Sequence, residues 1–372
     1  MATPPIIIER DPQAIIDSLN TRYNGYTGNT LQPFQVEQLQ FKAVAYEMSL
    51  KLEQFQAAGI NNLISFSTAP VLDYLVELLG VTRLTPSAAI VTVNFTLALA
   101  HPGVTIPSGT RVASVDGTAV FQTQTDIIVA AGIVNAPIVC ISVTTGASFN
   151  AYAIGSITNI LDPIAYVDSA SNTDESAGGA DTETDDSLRT RARLAPAAFG
   201  TAGANEAYQY WALTANPAII DVSVPLVPAQ PGTVVVYPLL EDGTVTPQVI
   251  LDQVSAVLNA RTVRPMCDTV VVTAPTQIPY TLIVGLVIYE DGDPQTIQQT
   301  VLDNLIAYAL SVSQQLGRDV MVDQITAICA PEGSGVYDVD LGSFVDIIVA
   351  ENEYAFANYS GIGVTVTGTN VG

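Results

Sequence analysis

A chain of 372 residues exceeds one average domain and predicts two to four of them. Apolar residues make up 48% and charged residues only 13%, with a mean hydropathy of +0.36, which excludes wholesale disorder and points to a subunit whose surface is later covered by partners. The net charge of −24, with Lys42 and Lys51 the only lysines and Arg189, Arg191 and Arg193 the one basic cluster, excludes direct nucleic-acid binding and disfavours anionic membranes.

Residues 1–10 lack the basic-then-apolar pattern of a secretion signal. A short helix is predicted from Pro12 to Leu19 and a long one from Leu31 to Gln56, with Pro33 near its start and Gly59 ending it. Phe34, Leu39, Phe41, Tyr46, Leu50, Leu52 and Phe55 spread widely around the long helix. They form either one wide core-facing stripe or surfaces for contact on more than one side. A third helix spans Pro70 to Leu79 and stops at Gly80.

The period then changes to two. Val91, Val93, Phe95 and Leu97 alternate with Thr92, Asn94 and Thr96, and turn signals follow at Pro102-Gly103, Pro107-Ser108-Gly109, Asp116-Gly117 and Gly146, as in an antiparallel β domain. Ile127 to Val143 is too short and too interrupted by Gly132, Asn135 and Pro137 to span a membrane and is expected as two buried strands. Asp168 to Gly179 is expected as a polar surface linker and a hinge.

Helix returns at 181–196. Asp181, Glu183, Asp185 and Asp186 at its start and Arg189, Arg191 and Arg193 at its end suit the helix dipole, and Pro196 closes it. The loop Phe199-Gly200-Thr201-Ala202-Gly203 leads to a second helix with Tyr208, Trp211 and Leu213, ended by Asn216-Pro217. An internal repeat follows. Strand 234–237, Glu241-Asp242-Gly243 and a helix at Thr246-Pro247-Gln248 match strand 282–289, Glu290-Asp291-Gly292 and a helix at Asp293-Pro294-Gln295. Both helices share Pro-Gln-x-Ile-x-x-x-Val, and each is expected to lead into a further strand, Thr269–Thr273 and Val320–Val322. Gly333-Ser334-Gly335 is expected to turn a hairpin, and Ile362 to Val366 to form a final strand.

The residues that carry chemistry are sparse. His101, the only histidine, lies in an Ala-His-Pro-Gly turn with no nucleophile context. No Walker glycine loop exists. Asp162, Asp168, Asp174, Glu175, Asp181 and Glu183 would be the acids of a glycosidase, but they fall in linker-like sequence where acids are solvated, and a single Trp is little for sugar stacking. The stretch from Asp168 has Thr173 and Gly179 where an EF-hand needs Gly and Glu. Cys140, Cys267 and Cys329 are too scattered for a disulfide framework or zinc and are expected as buried packing residues. The sequence assigns no catalytic, cofactor-binding or metal residue, and the chain is expected not to be an enzyme.

One run is more specific. Gly178-Gly179-Ala180-Asp181, Glu183, Asp185-Asp186 and Leu188-Arg189 with Arg191 continue as Leu194-Ala195-Pro196, Phe199 to Gly203, Ala207-Tyr208 and Ala212-Leu213. The run resembles the signature of the baseplate J-like proteins of contractile phage tails. Ile106-Pro107-Ser108-Gly109-Thr110 with Asp116-Gly117 and Phe121, Leu72-Asp73-Tyr74-Leu75, Leu79 to Arg83, and Arg264-Pro265-Met266-Cys267-Asp268-Thr269-Val270 are similar to other parts of that family. The resemblance covers nearly the whole chain and is weakest toward both ends.

The resemblance implies a structural wedge protein. Two copies per wedge would pair through the helical part and meet neighbouring wedges through C-terminal modules, forming a ring around the hub that rearranges on sheath contraction. The implied partners are the chain itself, a small sheath-initiator-like wedge protein, another wedge subunit and the central hub or spike, without nucleic acid and without membrane insertion. The implied location is the virion tail baseplate, assembled in the host bacterial cytoplasm. The expected fold is α+β and multidomain: an N-terminal helical region at 1–82, a β-rich domain at 83–176, a helical pair with a first α+β module at 177–277, a second α+β module at 278–345 and a strand tail at 346–372. The alternative is a glycan- or receptor-binding tail protein whose β domain is the binding part.

Overall fold

The computed structural model describes residues 3–200, 204–225, 232–241, 243–265 and 267–370. Thr201-Ala202-Gly203, Asp242 and Met266, parts of motifs read above, lie outside the described residues. The chain divides into two compact units: the part up to Arg83 joined by Leu188–Ala192, and the remainder from Leu84.

The first unit is helical. α1 (Pro12–Thr27) starts on Asp11, whose carboxylate accepts the Gln13 N–H at 2.9 Å, with Pro12 in the first turn. It runs past Leu19, where the short expectation ended, because nothing stops it before Gly28 takes φ 71 and closes it on Asn24 O. α2 (Val36–Ile60) begins after Pro33 and Phe34, which sit in a preceding turn, and ends one residue beyond Gly59, close to where the sequence placed its end. That glycine is also a packing notch: a Cβ there would meet Ile7 Cδ1 at 2.9 Å. The Gln56 amide holds the same N-terminal segment, accepting Ile7 and Ile8 N–H at 2.9 and 3.0 Å and donating to Pro5 O at 2.7 Å. α3 (Val71–Glu77) buries Leu72 and Val76 completely, and Gly80 follows at φ 73.

The larger unit opens with an antiparallel, nearly closed barrel. Its strands are β1 (Ala88–Leu97), β2 (Val104–Ile106), β3 (Arg111–Ser114), β4 (Val120–Thr123), β5 (Ile127–Val129), β6 (Asn135–Thr145), β7 (Ile157–Ile160) and β8 (Val167–Asn172). The main sheet runs β7-β3-β4-β6-β1-β8, and β2 pairs with β5 beside it. The alternation read in β1 is the inward face: Val91, Val93, Phe95 and Leu97 are at most 1% exposed. β6 also alternates, so Val139 and Val143 point outward instead of being buried. The stretch expected as a linker at 168–179 is β8 and its continuation. β8 pairs with β1 from Val93↔Asn172 to Leu97↔Val167, and bridges at Ile90↔Ala177 and Ser87↔Ala180 extend the contact. Polar sequence forms a strand here because Asn172, 1% exposed, closes the barrel: its Oδ1 accepts Ile157 N–H from β7 at 2.9 Å, and its Nδ2 donates to Ala153 O and Asp174 O. The stretch is therefore tied to β1 and is not a free surface linker.

α4 (Asp185–Leu194) leads through a 3₁₀ turn at Ala195–Phe199 to α5 (Asn205–Leu213). The first small module is β9 (Ile219–Ser223), β10 (Thr233–Leu240), α6 (Gln248–Leu258) and β11 (Thr269–Val272), with β10 antiparallel to β9 and parallel to β11. The β-α-β unit expected from the repeat is present. Ile250 and Val254 of α6, 1% and 0% exposed, fill its core with Leu258, Val236 and Tyr208. Pro247 is the residue before the helix and not its first position.

The second module is β12 (Thr276–Tyr289), α7 (Pro294–Ser313), α8 (Val322–Cys329), β13 (Val336–Asp340) and β14 (Glu353–Asn370). Asp293 caps α7 by accepting the Thr296 N–H, and Ile297 and Val301 occupy the places of Ile250 and Val254 in the repeat. The expected strand at 320–322 is only a single bridge, Val320↔Ile347, before α8 begins. The parallel partner of β12 is β14, in register from Thr276↔Glu353 to Tyr289↔Asn370. Gly333 to Gly335 turns from α8 into β13 and makes no hairpin. The sheet order is β13-β12-β14, and α7 and α8 cover it with Leu305, Val312, Ile325 and Cys329.

Candidate assembly surfaces

Among the residues considered for chemistry, His101, Asp162, Asp174 and Glu183 are occupied by structural bonds, whereas Asp168, Glu175 and Asp181 are exposed. His101 is 5% exposed; Gly103 N–H donates to its Nδ1 at 3.2 Å and its Nε2 lies 2.9 Å from Ile133 O. These two contacts pin the turn after β1. Asp162 accepts Nε and Nη2 of Arg111, each at 2.9 Å, and the Arg111 guanidinium holds its carboxyl down to about 2. Asp174 accepts the Thr92 N–H at 2.6 Å and the Thr92 hydroxyl at 2.9 Å. Glu183 is 4% exposed and accepts the Leu84 N–H, so it is not a solvated linker acid. Among the described residues no group of three or more His, Cys, Asp or Glu could hold a metal ion. No helix among them is long and apolar enough to cross a membrane.

The arginines of α4 do more than meet a helix dipole. Arg189 donates to Ile64 O at 3.0 Å and Ser67 O at 2.5 Å, and Arg191, 3% exposed, donates to Thr82 O at 2.6 Å. They saturate carbonyls in the turns around α3, which a charge pattern along one helix cannot reveal.

Two of the three cysteines match the packing expectation. Cys140 and Cys329 are fully buried, and burial pushes their thiols up to about 12 and about 11, whereas Cys267 is exposed. At pH 8 a maleimide reagent will therefore modify Cys267 alone, with Cys140 and Cys329 reacting only after unfolding. Peptide mass mapping reads this directly, and comparable native labelling of all three would contradict the burial.

The surface is where the chain departs most from an ordinary monomer. The buried line of α2 is made of Gln38, Ala45 and Gln56. Large apolar side chains flank it on both sides. Leu39, Tyr46 and Leu50, spaced seven and four apart, form one line at 55%, 60% and 43% exposure; Val44, Met48 and Phe55 form a second at 54%, 49% and 63%. The sequence reading of contact on more than one side matches this geometry, and a single core-facing stripe does not.

A second candidate surface is the edge of β14 beyond its first residues, at which Gly317 N–H already donates to the Glu353 carbonyl and Tyr354 and Ala355 are buried. Its 18 residues carry one charged side chain, Glu353, and no proline. The opposite edge, β13, carries Asp338 and Asp340. Charged residues are a common guard against unwanted strand pairing, and β14 lacks them along nearly its whole length.

Residues 92–179 match the family model described as the Baseplate J-like protein barrel domain, and residues 200–274 match the Baseplate J-like central domain. The Baseplate protein J of Escherichia phage P2 is 29% identical over 176 residues, which are 47% of this chain and 57% of that protein. The match thus spans just over half of that relative's length. The cryo-EM structure of the anti-feeding prophage baseplate, 6-fold symmetrised, aligns over 92% of this chain and 89% of its own, at 14% identity and a TM-score of 0.38.

Proposed function

We propose that the chain, whose residues 92–179 and 200–274 match the baseplate J-like barrel and central domains, is a baseplate J-like protein and a structural, non-enzymatic component of a contractile-tail baseplate. It serves as a wedge protein that pairs with a second copy through its helical unit, meets neighbouring wedges through its last module and so links wedges into a ring around the hub. The ring reorients when the sheath contracts. A small sheath-initiator-like wedge protein, a further wedge subunit and the central hub are its other partners. It assembles in the host cytoplasm and ends in the virion tail. Its working division is 1–82, 83–176, 177–277 and 278–345, with 346–372 supplying the parallel strand of the last module.

The observation that carries this reading is α2. Six large apolar side chains stand exposed on two lines of one helix, a cost that a monomer has no reason to bear and that a helix packed between copies removes. The uncharged edge of β14 offers a contact of a different kind, by strand addition.

Light scattering on the full chain tests it. The native chain is expected to exceed its monomer mass of 39.1 kDa, and Leu39→Glu with Phe55→Glu is expected to return it toward that mass. The melting temperature should change little, because both sites face solvent in the single chain. A native chain that stays monomeric at about 100 µM, above the dissociation constants of weak biological interfaces, and that ignores candidate wedge subunits while binding a glycan array, would overturn the proposal.

A further inference from the structure

The family-signature stretch that begins at Gly178 forms one wall of a groove of about 740 Å³. Bonds from Ser87 fix that wall to β1: Ser87 N–H donates to Ala180 O at 2.9 Å and Ala180 N–H returns to Ser87 O at 3.2 Å. The facing wall is Pro217 and Ala218 before β9, together with the turn from Leu240 to Ile250 between β10 and α6. Asn216, 1% exposed, holds the two walls at a set distance, since its Nδ2 donates to Gly178 O at 3.1 Å and to Gln253 Oε1 at 2.9 Å. The groove is thus a built feature of the seam between the barrel and the first module.

Its lining is of two kinds. The apolar part is mostly small, with Ala177, Ala180, Pro217, Ala218 and Pro247 beside Leu240 and Ile250, and Val245 is 56% exposed. The rim carries Glu175, Asp181 and Glu241, all exposed, and no Lys, Arg or His lines the groove. Its volume lies within the range of ligand-sized pockets. A lining of mostly small side chains leaves room for a backbone to approach, and a carboxylate rim without a balancing cation selects positive charge.

We propose that this groove takes an extended segment of a partner protein in which Lys or Arg flanks small apolar side chains. The inference goes beyond the wedge reading and is independent of it, because neither α2 nor β14 lines the groove.

The test selects a phage-displayed library of random heptapeptides against the full chain and against Val245→Trp, which fills the groove from an exposed position. The native chain is expected to enrich peptides with basic residues beside apolar ones, and Val245→Trp, with an unchanged melting temperature, is expected not to. A synthetic copy of the enriched peptide should lose about fivefold in affinity when Glu175→Gln and Glu241→Gln are combined, the scale of two rim charges. Glu47→Gln, on α2, should change nothing. No enrichment, enrichment without basic bias, or equal capture by Val245→Trp would each overturn the proposal. Self-association measured on the same Val245→Trp protein should be intact, which separates a failure here from a failure of the wedge reading.

Discussion

Replacing Gly179 with alanine is expected to destabilise the larger unit by about 3 kcal/mol, a fall of roughly 6 °C in melting temperature for a unit of this size. The backbone of Gly179 is held on both sides by Asn150, which accepts its N–H and donates to its carbonyl, each at 2.8 Å. A Cβ at this position would run into Gly146 O, would stand 2.9 Å from Asn150 Oδ1, and would press on Ala89 at 3.2 Å. The obstructing atoms are backbone or are fixed by the very bonds that define the site, so relief means moving β1 or breaking the Asn150 clamp. The same change at Gly363, where an added Cβ meets nothing within 4 Å and where, as at Gly179, φ lies outside the left-handed region, shows the effect of losing a glycine without crowding. Thermal unfolding followed by circular dichroism distinguishes the two, and equal losses at both positions would show that crowding at Gly179 is not the cause.

The second large effect is expected at Arg191. Arg191→Met keeps the length of the side chain and removes the donor to Thr82 O at 2.6 Å. The site is 3% exposed, so that carbonyl gains little from water in return. A loss of about 2–3 kcal/mol follows for a hydrogen bond made by a charged group. The fork of the guanidinium matters as much as its charge, so Arg191→Lys should recover only part of the loss. Arg193→Met, at an exposed position of the same helix, should stay within about 0.5 kcal/mol of the native chain. Hydrogen exchange around α3 is the sharper measurement, because the bonds of Arg189 and Arg191 end there. Unchanged protection in Arg191→Met would show that the bond contributes nothing.

Much of the architecture was legible because it rests on periodicity. The alternation from Val91 to Leu97 is set by the two faces of one strand, and the matched Pro-Gln-x-Ile-x-x-x-Val starts mark helices whose Ile and Val point into two separate cores. The breadth of apolar residues on α2 was also visible, although which line is buried was not, since Gln38, Ala45 and Gln56 give no apolar signal. What escaped depends on residues far apart. Asp168 to Asn172 looks like solvated loop because only Ala170 and Asn172 turn inward, and a barrel closes on them through bonds invisible in the local composition. Of the acids read as solvated, Asp168, Asp174, Glu175 and Asp181 are exposed, but Glu183 is buried and answers Leu84, 99 positions away. The seam groove was equally hidden. Its wall is the most recognisable run in the sequence, but its opposite side comes from β10 and α6.

The pairing of β12 with β14 has a consequence for the order in which the chain acquires structure. β10 finds its parallel partner after a single helix, whereas β12 waits through α7, α8 and β13 for a strand roughly 80 positions later, a slow non-local closure. During synthesis the barrel and the first module can complete themselves while the last module is still without its edge. Until β14 arrives, one long side of β12 is open to any other strand nearby, including that of a sister chain on the same message. This last module is thus the place where nascent copies are most exposed to mispairing, and where a chaperone would have the most to shield.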